Sequence, residues 1–293
     1  MSILSDLFKR DDAPGPGVAP DEPRKKGIRR LWEVCTRDIG SFFWAGLAAL
    51  AALLPWAGLT TAALLSRALA AVALAGAVGG MVAAPFLCAL ADLVLRGLRD
   101  EPFYGRRAWL RALRGSLPAC ILPGGVFGAA AALEWFAVQI ALGGGAPGGL
   151  LWGVLLGMAL AAGFAPYLCA QIVLFEQPLG RSLKNSCLLF LYGLPRSLGA
   201  AALLLGYAAG VALFAPLSYL VLILGNAWLP LAAALLMIYQ PMERALGLEE
   251  QIRAAQASRR AKVAPAAPSQ AAASKSSPSR RLAPNQNRST IQG

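Results

Sequence analysis

Six long apolar runs, separated by short polar or glycine-rich breaks, dominate the chain. They fall at 41–63, 69–95, 117–142, 150–175, 197–216 and 219–240, each rich in Leu, Ala, Val and Gly and nearly free of charge. A helix that crosses a bilayer needs about 20 mostly apolar residues. Each run therefore predicts a transmembrane helix. The last two form one stretch, divided at "APLS" (215–218), where Pro216 removes a backbone donor and clashes with the preceding turn. If that stretch is partly re-entrant, five spans remain. The expected fold class is all-α: a polytopic membrane helix bundle of about six transmembrane helices, with interfacial amphipathic helices on the cytoplasmic side.

Periodicity changes outside the runs. In "IRRLWEVCTRDIG" (28–40), Ile28, Leu31, Trp32, Cys35 and Ile39 recur at helical spacing, while Arg29, Arg30, Glu33, Arg37 and Asp38 face the other way. That pattern predicts a helix lying in the interface with its arginines toward headgroups. "GRRAWLRALRGS" (105–116) is similar, and 241–255 predicts a third such helix. Residues 1–27 read as a flexible lead, 28–250 as the helical domain, and 251–293 as a helix end and a disordered tail. The tail is built from Ala, Ser, Pro and basic residues and cannot bury enough apolar surface to offset its ordering entropy.

Composition supports lipid as part of the solvent. The chain has 293 residues, 57% of them hydrophobic and 14% charged. A soluble domain carries about 25% charged residues. The first apolar run begins some 40 residues in and is followed by more spans, so it predicts a signal anchor rather than a cleavable signal.

Charge then orients the bundle. Eight Lys and Arg precede the first run, six lie in the second loop, three in the fourth and nine after the last run. The first loop holds only Arg67, and the third and fifth hold none. Basic residues resist translocation, so six spans with both termini in the cytoplasm of a cell membrane fit this distribution. The net charge of +12 is an orientation signal, not a nucleic-acid footprint. Arg29, Arg30, Arg106, Arg107, Arg111 and Arg114 are the candidate contacts for lipid headgroups or a docking partner. Tryptophans mark depth: Trp56, Trp152 and Trp228 toward the outer side, Trp32, Trp44 and Trp109 toward the inner, with Trp135 deeper.

Small residues recur every fourth position: Gly76 and Gly80; Gly124, Gly128 and Ala132; Gly149, Gly153 and Gly157. Such stripes let helices approach closely. They predict packing within the bundle, and Gly149, Gly153 and Gly157 also offer a homodimer face.

Chemistry is sparse. The chain has no histidine, which excludes a His base, a Ser-His-Asp triad, a HExxH zinc site and His-ligated haem. Its five cysteines contain no CxxC pair and read as small apolar fillers. The glycine-rich "GGMVAAP" and "PGGVFG" lie inside spans and are not phosphate loops. No cofactor, metal site or enzyme activity is expected. Asp92 precedes Arg96 by four and predicts a local ion pair. Glu134 is different, because it lies inside the third span. A carboxylate at mid-bilayer costs about 2.5–3.5 kcal/mol on insertion scales. It is protonated, open to water, or paired, and Arg67 is its nominated partner. Glu134, Arg67 and Gln139 thus form a candidate intramembrane polar site, with a bundle-orienting ion pair as the structural alternative.

Three segments carry a family resemblance: "PGPGVAPDEPRKKG" (14–27) leading into "LWEVCTRD"; "GGMVAAPFLCALADLVLRGLRDEPFYGRRAWLRALRGSLPACILPG" (79–124); and "QIVLFEQPLGRSLKNSCLLFLYGLPRSLG" (171–199). Together they resemble the YesL-like family of bacterial multi-pass membrane proteins over most of residues 14–245. Ala84 departs from the family's usual glycine before proline, and Gly105 and Arg106 from its frequent aromatics. The motifs are distinctive but not catalytic. The resemblance implies an accessory or scaffold role in carbohydrate uptake, with transporter subunits as partners. The alternative is a small independent transporter or channel around Glu134 and Arg67.

Overall fold

A computed structural model describes residues 27–99, 101, 105–143, 148–175 and 177–247. The chain divides into two units, Met1–Leu248 and Glu249–Gly293. The predicted lead before residue 27 and the tail lie outside the described residues, as does the end of the predicted helix 241–255. The first unit is all-helical among the described residues: α1 (Ile28–Leu65), α2 (Leu69–Leu98), α3 (Gly105–Leu142), α4 (Gly148–Leu174), α5 (Leu179–Tyr192), α6 (Leu194–Leu213), α7 (Ser218–Gly225) and α8 (Trp228–Leu246).

Five helices, α1 to α4 and α6, are long and apolar enough to cross a membrane. Their outer surfaces expose Leu54, Leu74, Val126, Trp152 and Leu156. Side chains of this kind are stable on the outside of a bundle only against lipid. The protein is therefore a membrane-embedded helix bundle. The sixth run is a broken pair: α7 and α8 bend by 62° across Asn226 and Ala227.

Two predicted interfacial helices run into the spans that follow them, the first set off from its span by the non-helical Asp38. Residues 28–40 continue into the first span as α1, with a kink at Asp38 (φ −113°, ψ 19°). Residues 105–116 are the first turns of α3. One helix was not expected: α5 fills the fourth loop, burying Ser182, Ser186, Leu189 and Phe190 on one face.

α2 and α3 make the most extensive pairing. They are antiparallel and meet backbone to backbone. A methyl at Gly80 would strike the Gly124 carbonyl and come within 2.7 Å of the Gly128 Cα. The small-residue pattern in both helices leaves that space empty, so close packing replaces the hydrophobic drive that lipid does not supply. Trp56 of α1 closes over the seam, its indole N–H donating to the Gly128 carbonyl at 3.1 Å.

At the basic end of α1, arginines turn inward. Arg30 is 5% exposed and donates to the Leu98 carbonyl at 3.0 Å. Arg37 donates to the Gly97 carbonyl at 2.9 Å and pairs with Asp38. Both cap the C-terminus of α2, where carbonyls lack intrahelical partners and the helix dipole favours cations. Arg30 thus leaves the expected set of headgroup contacts, since its guanidinium is buried in protein. The predicted Asp92–Arg96 pair forms at 2.7 Å and joins Glu101 and Arg99 in one network.

Candidate functional site

A cleft of about 800 Å³ opens between α1, α3, α4, α6 and α7. Helical spacing builds each wall. Trp56 and Thr60 stand one turn apart on α1. Phe127, Ala131 and Glu134 follow one face of α3. Ala161, Ala162 and Ala165 of α4 supply no bulk and so leave the volume open, beside Met158. Tyr207 and Val211 of α6 and Leu222 of α7 complete the lining. The cleft is not a sealed void, and Trp135, 42% exposed, stands at its edge.

Glu134 is the only acid in this lining, and no Lys or Arg accompanies it among the described residues. Its carboxylate lies against α4 at Gly157, where an added Cβ would come within 2.9 Å of Oε1. Glycine at 157 thus makes room for the carboxylate. Thr60 also faces the cleft. It is 2% exposed, and its hydroxyl has no hydrogen-bond partner among the described residues.

The predicted trio does not assemble. Arg67 is exposed in the α1–α2 turn at φ 54°, and no ion pair or hydrogen bond joins it to Glu134. Glu134 lies eight residues before the end of α3, about 12 Å along the axis at 1.5 Å per residue. Arg67 belongs to a turn past the ends of its helices. Gln139 is exposed and stands five residues on from Glu134, about 140° around the helix at 100° per residue. Only Glu134 of the three lines the cleft.

The break between α7 and α8 forms the cleft's support. Asn226 is fully buried, at φ 28°. Its Nδ2 donates to the Phe43 carbonyl at 3.3 Å, and its Oδ1 accepts from the Trp228 N–H at 3.1 Å. Its own carbonyl accepts from the Tyr207 hydroxyl at 3.1 Å. One residue thereby ties α1, α6 and α8 together. Gly46 of α1 leaves room for it, since a methyl there would strike Asn226 Oδ1. Trp228, expected toward the outer side, instead stacks on Phe42 at 6.2 Å. Phe42 packs beside Gly97 at the basic end of α2, so Trp228 belongs to that end.

A second, apolar cavity of about 260 Å³ adjoins the cleft, and Trp56 and Phe127 line both. Cys88, Cys120 and Cys169 converge there from α2, α3 and α4, with Cys88 in hydrogen-bonding reach of the other two. No linear spacing announced that meeting. Among the described residues no group of three or more His, Cys, Asp or Glu could hold a metal ion.

A third groove of about 310 Å³ lies between α1 and α3. It is lined by Ser41, Trp44, Arg106 and Trp109. Arg29, Arg106, Arg107, Arg111 and Arg114 are all exposed. Of the small-residue stripe on α4, Gly149 and Gly153 face open space, whereas Gly157 faces Glu134.

No family model, curated protein or solved structure matches the chain. The likeness to YesL-like proteins rests on the quoted motifs alone.

Proposed function

We propose that the protein is a solute-binding membrane protein of the small-transporter type, with its site in the Glu134 cleft. It sits in a bacterial cell membrane with both termini in the cytoplasm, an orientation supported by the Lys and Arg distribution. The observation that carries this reading is a lone carboxylate without a partner among the described residues, in a cleft of ligand size. Binding sites are typically about 300–1,000 Å³, mostly apolar, with a few placed polar groups. A broken helix beside the site adds support, because irregular backbone at membrane depth is tolerated where it is buried in protein or lines a cavity. The lining offers no catalytic pair, so binding and passage fit it better than turnover.

The test is a thermal-shift panel on purified protein against Ala162→Phe, which fills the cleft. A specific solute at 100 times its Kd stabilises the folded state by about 2.7 kcal/mol, and the filled variant loses that gain. If every solute shifts both proteins equally, the reading fails.

The accessory role in carbohydrate uptake is a second proposal, favoured by one observation. Arg107, Arg111 and Arg114 fall within about 60° of one another and present an exposed basic face at the start of α3. A transporter partner docking there should co-purify under mild detergent at native expression. Recovery of the protein alone counts against it.

A further inference from the structure

We propose that the cleft takes a lipophilic organic cation, an inference that rests on the solute-binding reading above. Four observations narrow the class. The lining holds one carboxylate and no base among the described residues, so an anion meets only repulsion. Glu134 makes no ion pair or hydrogen bond with the described residues, so its charge is left for a ligand to match. Trp56, Trp135 and Tyr207 are in the lining, and aromatic rings attract cations through their quadrupoles. Most of the remaining wall is alanine and larger apolar side chains such as Phe127, Leu205 and Met158, which suits apolar substituents, while Thr60 and Thr61 add the only further hydroxyls of the lining among the described residues. The Tyr207 hydroxyl is already committed to the Asn226 carbonyl.

The wider field argues that any such preference is local. The chain carries a formal charge of +12. Long-range electrostatics therefore disfavour cations, and a cation preference must come from the cleft itself.

The experiment compares two probes of similar shape, methyltriphenylphosphonium and neutral triphenylphosphine oxide. Binding is measured by equilibrium dialysis to protein in nanodiscs, with empty nanodiscs subtracted. Wild type should bind the phosphonium at least tenfold more tightly than the oxide. Glu134→Gln, nearly isosteric, should abolish the difference and leave oxide binding in place. Gly157→Ala keeps the charge but displaces the carboxylate, and should reduce phosphonium binding several-fold. Ala162→Phe should weaken both probes. Equal binding of the two probes to wild type, or a preference that survives Glu134→Gln, overturns the cation inference and leaves the cleft reading standing. Binding of neither probe, or binding indifferent to Ala162→Phe, overturns both.

Discussion

Replacing Asn226 with alanine should loosen the bundle more than any single change at its lipid-facing surface. The substitution leaves the Trp228 N–H without its acceptor in a residue only 6% exposed, at a cost of about 1–3 kcal/mol. It removes the bond to the Phe43 carbonyl, worth about 0.6 kcal/mol on the average for interhelical hydrogen bonds in membranes. It also sets a Cβ without a compensating side-chain bond at φ 28°, adding about 1 kcal/mol. The total is about 3–5 kcal/mol. With the exposed Cys187 replaced by serine, unfolding in detergent can be followed with a thiol-reactive fluorophore, because Cys88 and Cys120 are 2% and 1% exposed in the folded chain. The midpoint should fall by about 6–20 °C. Asn226→Gly loses the same side-chain bonds but accepts the backbone conformation, so it should melt above Asn226→Ala. An alanine variant within 1 °C of wild type, or a glycine variant no better than alanine, would refute the latch.

Other consequences are open to direct measurement. Gly80→Ala should cost about 1–3 kcal/mol through overpacking of the α2–α3 seam, whereas Gly153→Ala, which faces open space, should leave the melt unchanged. If Gly149 and Gly153 do form a homodimer face, Gly153→Leu should shift the oligomer distribution in single-molecule photobleaching. Arg30→Ala should cost about 1.5–3 kcal/mol, because it strips a charged donor from the buried end of α2. Arg106→Ala should change stability by less than about 0.5 kcal/mol, yet reduce stabilisation by added anionic lipid, since Arg106 lines the groove with Trp44 and Trp109.

Much of the bundle was legible in the sequence because the bilayer restricts what can span it. Length and apolarity placed α1 to α4 and α6, and the i, i+4 spacing of Asp92 and Arg96 gave their bond. The stripes at Gly76, Gly80, Gly124 and Gly128 carried the α2–α3 seam. Glu134 could be singled out as an acid inside a span with no basic residue at helical spacing, unlike Asp92. Its surroundings could not, because Thr60, Tyr207 and Gly157 come from three other helices and no local pattern links them. Charge sign alone misled about Arg30 and Arg67. The first found carbonyls at a neighbouring helix end instead of headgroups, and the second was lifted by its turn beyond reach of Glu134. Asn226 reads in the sequence as a polar residue in a short loop. Its role depends on contact with a helix far away in the chain. The helix α5 did leave a signal, with Ser182, Ser186 and Leu189 at helical spacing, hidden by the proline and basic residues of the loop around it.

The bond from Asn226 to Phe43 spans 183 positions, and this sets an order of events during biogenesis. The α2–α3 hairpin can close as soon as α3 has emerged, since its contacts are near neighbours in the chain. α1 is made first, but its recess at Gly46 stays unfilled until the ribosome has finished α8. Until then the cleft lacks its support, and the early helices must wait in the bilayer with that recess facing lipid. A chain stopped after α6 should therefore insert with its first five spans in place while bearing no site. Completion of the broken α7–α8 pair is the step that fills the recess in α1.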